Sequence, residues 1–333
     1  MPRLDLSHQR GNHCGSTALR NIARYYDWGF DEALCFGLGS GLGFSYQRVQ
    51  ERPERMFFGR TSDLETQFFD TLSIPVTVRE GDSFDTTWTD MRAYLDAGHP
   101  VLIFTDLFYL DYYNSSTHFS PHSLLLVGYG DDTAHLADSE FAEIQRLPLE
   151  RLEAAMTSKH MSPLQCRYLV VDSPVIGRSF STAVQLALER TATYMLDPEA
   201  VIEPDATYGT QGIAGIRAMA ADLPTWNQLT DPSWTVRFAY QNIERRGTGG
   251  GAFRAMFGNF LDQVHESVPI PADPPAEMAR IADAWTAVSE TLYEASETDD
   301  VARFHRLLDE AASDVSAIAD AEESLFTVIG DSL

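Results

Sequence analysis

Cys14, His122 and Asp138 are residue types that together can run nucleophilic acyl chemistry, and each stands in a context suited to its part. Cys14 lies in Asn12-His13-Cys14-Gly15-Ser16, at the start of an amphipathic stretch over 14–26 with Ala18, Ile22 and Tyr25 at helical spacing. The free amides and positive dipole end of a helix start favour thiolate, lowering a cysteine pKa from its ordinary value of about 8.5. A thiolate nucleophile also needs a partner that moves protons to and from the leaving and attacking groups. His122 opens an apolar run behind Pro121. Asp138 ends the run that returns, where it can orient the imidazole.

A tight hairpin would set Asp138 opposite residue 125 or 126, so contact with His122 requires a bulge or a strong bend. Asp172, closing the run 168–172, is the rival acid. His13, Cys14, His118 and His122 could form a zinc site, but Pro121 disfavours a helix carrying both later histidines, and no metal is expected. Cys35 and Cys166 read as inert packing thiols.

The elements that must position these residues are legible in outline. Runs 100–105 (PVLIFT) and 123–129 (SLLLVGY) are short, β-rich and apolar, as buried strands are. The turn signal Gly130-Asp131-Asp132-Thr133 leads into a returning strand over 134–138. From about residue 147 helical spacing dominates, over 149–155, 183–196, 234–245, 252–264, 275–296 and 299–321, with 168–172 as the one convincing strand. The expected organisation is an α+β catalytic domain over 1–146 and a mostly α-helical domain over 147–333.

Two glycine-rich stretches need a reading. Gly37, Gly39, Gly41 and Gly43 contain no nucleotide-binding pattern and are expected to let backbone pack closely beside the catalytic helix. The loop 247–251 fits a dinucleotide pattern but follows a helix rather than a strand, so that function fails on context. What survives is a set of free amides, at Gly249 and Gly250 among others, flanked by Arg245, Arg246 and Arg254. These are candidates to bind a substrate anion, or equally to tie domains together.

The segment His122-Ser123-Leu124 onward resembles the one around the catalytic histidine of papain-like enzymes, with an orienting Asn or Asp at similar later spacing. Closer still, His13-Cys14-Gly15-Ser16 and the run 32–46 (EALCFGLGSGLGFSY) are similar to the opening motif of the butirosin-biosynthesis protein H N-terminal family of acyltransferases. Gly98-His99-Pro100-Val101, the run 106–110, His118-Phe119 and the His122 strand resemble its later motifs. The remainder is similar to an uncharacterised helical module that often follows this domain, notably over 246–254. The resemblance implies a papain-like fold and acyl transfer through a Cys14 thioester, from an acyl carrier protein or related thioester to a small-molecule amine. An amidase or peptidase using water is the alternative, and a non-catalytic binding protein on the same fold a third. Papain-like enzymes carry an oxyanion-stabilising Gln six residues before the cysteine. Here that place is His8, so the donor stays open between Gln9, His8 and backbone amides.

The chain of 333 residues carries 49 acidic and 24 basic side chains, a formal charge of −25. Such a surface repels phosphates, which argues against nucleic acid or an anionic membrane as partner. Lys159 is the only lysine, a composition suited to concentrated salt, where self-repulsion is screened. Three cysteines give no disulfide framework, and no stretch has the apolar length of a signal peptide or spanning helix. A cytoplasmic enzyme without a cofactor is expected.

Overall fold

A computed structural model describes residues 3–160, 163–201, 209–271 and 273–333. In chain order it contains α1 (Cys14–Tyr25), α2 (Glu32–Leu38), β1 (Leu42–Arg48), β2 (Arg55–Arg60), α3 (Leu64–Leu72), β3 (Val76–Arg79) and α4 (Phe84–Asp96). There follow β4 (Val101–Thr105), β5 (His122–Tyr129), β6 (Thr133–Ala137), β7 (Gln145–Pro148), α5 (Leu149–Met156) and β8 (Tyr168–Val171). The rest is α6 (Phe180–Leu196), β9 (Thr210–Gln211), α7 (Gly212–Asp222), α8 (Pro232–Glu244), α9 (Arg254–Val264), α10 (Pro274–Glu297) and α11 (Val301–Ser332). The fold is α+β. Among the described residues no helix is long and apolar enough to cross a membrane.

The chain forms two compact units, and it visits each twice. The first unit comprises Met1–Cys35 and Leu72–Gly177, the second Phe36–Thr71 and Arg178–Leu333. The expected boundary at 146/147 therefore coincides with no edge of a unit. Strand β8 lies beyond that boundary in sequence, yet it pairs with both β3 and β4 inside the first unit's sheet.

In the first unit six antiparallel strands run in the order β3-β8-β4-β5-β6-β7. Met91 of α4 and Leu152 of α5 join Ile103, Leu124, Leu136 and Val170 in one buried cluster. Helix α1 packs against β5. All of its residues from Cys14 to Ala23 are buried, and the one charge among them, Arg20, is held by Glu32 and by the carbonyls of Gln9 and Arg10. Glu32, at the start of α2, accepts from the backbone N–H of Asn12 and of His13 and from the hydroxyls of Ser16 and Thr17. Its carboxylate thereby fixes the chain just before α1 and complements the positive end of that helix.

The register between β5 and β6 contains the irregularity that the hairpin needed. Gly128 pairs with His135, but Leu126 pairs with Leu136 and Leu125 with Ala137, so Val127 is an extra residue on β5.

The second unit holds the antiparallel sheet β2-β1-β9 and helices α6 to α11, with α10 packed on α8, α9 and α11. Gly37 and Gly43 belong here rather than beside α1. A Cβ on Gly37 would fall 2.0 Å from the ring of Phe260 on α9, and one on Gly43 would sit 2.8 Å from Tyr194 on α6. Their lack of a side chain serves this second core, not the cysteine helix.

Candidate active site

Cys14 is the first residue of α1 and is buried. His122 is the first residue of β5 and is buried. Asp138 follows directly on β6 and is fully buried. Ala137 pairs with Leu125, so the ladder continued by one residue sets Asp138 opposite Leu124, on the same face as His122 two positions along. Nε2–H of His122 donates to the carboxylate at 3.0 Å from Oδ2 and 3.1 Å from Oδ1. The ring's other nitrogen is left for a second partner, and the Cys14 thiol and His122 are close enough for each to shift the other.

Two residues absent from the sequence expectations complete this arrangement. A one-turn 3-10 helix over Asp111–Tyr113 presents both phenols to Asp138, Tyr112 O–H to Oδ2 and Tyr113 O–H to Oδ1, each at 2.8 Å. Burial and the neighbouring Asp138 charge push both phenols up, so they stay protonated and donate. Only the tyrosine-rich run just before the histidine segment hinted at them.

The electrostatics separate the three cysteines. Burial alone would raise the Cys14 thiol, but the two imidazoles of His13 and His122 outweigh it and hold Cys14 well below the ordinary value. Burial pushes Cys35 and Cys166 up. Burial likewise works against a charged His122, yet Asp138 and the Cys14 sulfur raise it to about 10. Asp138 resists burial through the His122 charge and its hydrogen bonds, and is lowered. The arrangement stabilises a thiolate–imidazolium pair backed by a carboxylate.

Other candidates part company with this cluster. Asp172 accepts from Thr77 Oγ1 at 2.8 Å and is committed to the β3 side of the sheet. His118 is turned to the buried Asp106, its Nδ1 2.7 Å from Oδ2, rather than joining His13 and Cys14. Among the described residues no group of His, Cys, Asp and Glu is placed to hold a metal. His8 has both nitrogens engaged, Nε2 with Phe141 O at 2.7 Å and Nδ1 with the Asn21 amide at 2.9 Å, and burial lowers its pKa. It has no donor to spare for an oxyanion. Gln9 is exposed, and its side chain makes no hydrogen bond among the described residues.

The arginine-flanked loop of the second unit is not laid out as an anion site. Arg254 is fully buried; Nε and Nη2 hold the Glu322 carboxylate at 2.8 Å each, while Nη1 reaches the carbonyls of Gly43, Gly59 and Ala252. Gly250 N–H goes to Thr248 Oγ1 and Gly251 N–H to Glu244. Gly249 and Gly250 have positive φ, a backbone need that glycine meets without strain. Arg246 lies over the Phe238 ring and Arg245 donates to Tyr240 O–H. A lone count of arginines beside glycines could not reveal that internal carbonyls and a glutamate already occupied Arg254.

With this geometry in place, the family comparisons are informative. Residues 13–139 match the family described as Butirosin biosynthesis protein H, N-terminal, and residues 150–329 match the Domain of unknown function (DUF4872). The chain belongs to the family of this second module, whose model spans more than half of it, and a domain matching the butirosin biosynthesis protein H N-terminal family precedes that module. No curated protein matches it. The first match opens at His13, one residue before Cys14, and ends at Ser139, one residue after Asp138. The family takes its name from a protein of secondary-metabolite biosynthesis.

Proposed function

We propose that the chain is a cysteine acyltransferase that carries its acyl group on Cys14. The observation that supports this most is the His122–Asp138 contact with Cys14 beside it, thiol and imidazole being shifted in opposite directions. The Cys14 thiolate attacks the carbonyl carbon of an acyl thioester, forming a new C–S bond and then expelling the donor thiolate. Imidazolium His122 gives that thiolate its proton. A small-molecule amine next attacks the acyl-enzyme carbonyl, passes a proton to neutral His122 and leaves as the amide. Cys14 thiolate and imidazolium His122 are thereby restored. Asp138 orients the ring and offsets its charge without taking the proton. The Cys14 N–H, at the first position of α1, and the Gln9 carboxamide are the proposed donors to the tetrahedral oxygen.

The donor we propose is a carrier-protein or related thioester, as the resemblance implies. Intact-mass measurement with an acyl N-acetylcysteamine thioester tests the proposal. An acyl adduct on Cys14 that simple amines discharge faster than water supports transfer. Discharge by water alone replaces it with an amidase or peptidase. No adduct, with Cys14 also inert to alkylation, leaves a binding protein.

A further inference from the structure

The sulfur of Cys14 has a second imidazole beside it, from the preceding residue. His13 is the N-cap of α1, extended at φ −118° and ψ 136°, and is 4% exposed. Its Nδ1 accepts the backbone N–H of Ser16 at 3.2 Å. Its Nε2 lies 3.8 Å from Cys14 Sγ.

We propose that His13 is a fixed hydrogen-bond donor to the Cys14 thiolate, its tautomer set by its capping of α1. A backbone amide cannot give up its hydrogen, so Nδ1 must present a lone pair to Ser16. In the neutral ring the proton then sits on Nε2, the nitrogen directed at sulfur. Ser16 Oγ also lies 3.3 Å from that Nδ1, but its one proton goes to Glu32, so the backbone amide is what fixes the lone pair. The same constraint bars His13 from serving as the base: loss of its Nε2 proton would leave an imidazolate. The two imidazoles at the sulfur therefore divide the work. His122, backed by Asp138, moves the proton, and His13 steadies the charge that remains.

The assignment rests on Cys14 being the nucleophile. The titratable groups acting on the sulfur are His13 at the N-cap of α1, His122 from β5 and Tyr113 from the 3-10 turn; Asp138, after β6, stands behind His122, and Glu32, at the start of α2, holds the His13 backbone N–H. Glu32 is taken up by backbone amides and hydroxyls at the helix start.

Capping and charge stabilisation separate experimentally with His13→Asn. Asparagine is among the strongest N-caps but is too short to reach the sulfur from that position. The pH dependence of Cys14 alkylation by iodoacetamide is followed in the wild type, His13→Asn and His13→Ala, alongside the melting temperature. Asparagine should restore the melting temperature that alanine loses, while both variants move the alkylation midpoint upward by about one pH unit, as loss of one charge-assisted bond implies. An Asn variant with the wild-type profile would show that His13 only caps the helix. If wild-type Cys14 itself labels with an ordinary thiol profile, the nucleophile proposal falls first and this one with it. Nitrogen-15 NMR of the wild-type histidines checks the tautomer without any variant: an Nε2–H ring for His13 is expected, and an Nδ1–H ring overturns the assignment.

Discussion

Asp138 meets His122 Nε2 at 3.0 Å, although the register set at the hairpin turn would carry its side chain to the opposite face of the sheet. Gly128 pairs with His135 at the turn end, which would put Asp138 opposite Leu125. The extra residue at Val127 shifts the ladder by one and reverses that parity. A bulge commonly re-aims a side chain beside a functional site, and here it aligns the acid with the base.

That alignment sets an order of mutational effects. Replacing His122 by Ala removes the proton carrier and should lower acyl transfer by about 10²–10⁴-fold. Asp138→Asn should cost less, because the carboxamide oxygen can still receive the Nε2–H. Its cost is not nil: the carboxylate also accepts from Tyr112 and Tyr113, and the amide has one oxygen for three donors. Tyr113→Phe should be milder than either. Turnover of the same model thioester by the three variants gives the ranking, and an Asp138→Asn enzyme weaker than His122→Ala would contradict these roles.

The pH response of stability follows from the same two residues, with opposite signs. His122 is raised to about 10 when folded, from an ordinary value of 6.5. Its charge therefore contributes stability that is fully present below about 6.5 and is lost as pH rises toward 10. Asp138 is lowered, so its contribution is present above the ordinary carboxylate value and is lost as pH falls through the folded one. The melting-temperature gap between wild type and His122→Gln should accordingly be widest near pH 6 and shrink by pH 10. A gap that grows with pH would mean that the ring is not charged in the folded chain.

Much of this site can be read before folding, and the unread part has physical causes. Cys14 and the strands at 101–105 and 122–129 announce themselves because helix starts and buried strands impose local patterns. The later helices α6, α8, α9, α10 and α11 do so through periodicity. Tyr112 and Tyr113 do not, since a single 3-10 turn has no period and their target lies about 25 residues away. Glu32 is hidden for the same reason: capping of α1 by a residue from α2 leaves no local signature. The passage of the chain between units at Cys35, Thr71 and Gly177 is set by strand pairing, above all that of β8, which no window of sequence encodes.

The charge of −25 with one lysine leads to a salt prediction. At low ionic strength the carboxylates repel across a Debye length of about 10 Å, and at 1 M this falls to about 3 Å. Exposed pairs such as Arg217–Asp320 and Arg303–Glu294 are weakened by the same screening, but each contributes little. Repulsion is the larger loss, so the melting temperature should climb by several degrees between 0.1 and 2 M KCl. A flat or falling trend in calorimetry would mark an acidic protein with no adaptation to salt.

Arg254 and Glu322 make the sharpest test of the second unit. Both side chains are fully buried, and Trp285 Nε1–H donates to the same carboxylate at 2.9 Å. Replacing Arg254 by Met strands the Glu322 charge, and breaking one side of a buried pair costs about 3–5 kcal/mol. Removing both charges, in Arg254→Met with Glu322→Leu, relieves that penalty. It also leaves the carbonyls of Gly43, Gly59 and Ala252 and the Trp285 indole without their partners, each worth about 1–3 kcal/mol when buried. The double variant should therefore be more stable than the single one and still less stable than wild type. Urea midpoints for the three proteins read this directly. If Arg254→Met unfolds at the wild-type midpoint, the guanidinium is not the internal tie described here, and a surface role for the Gly247–Gly251 loop would have to be reconsidered.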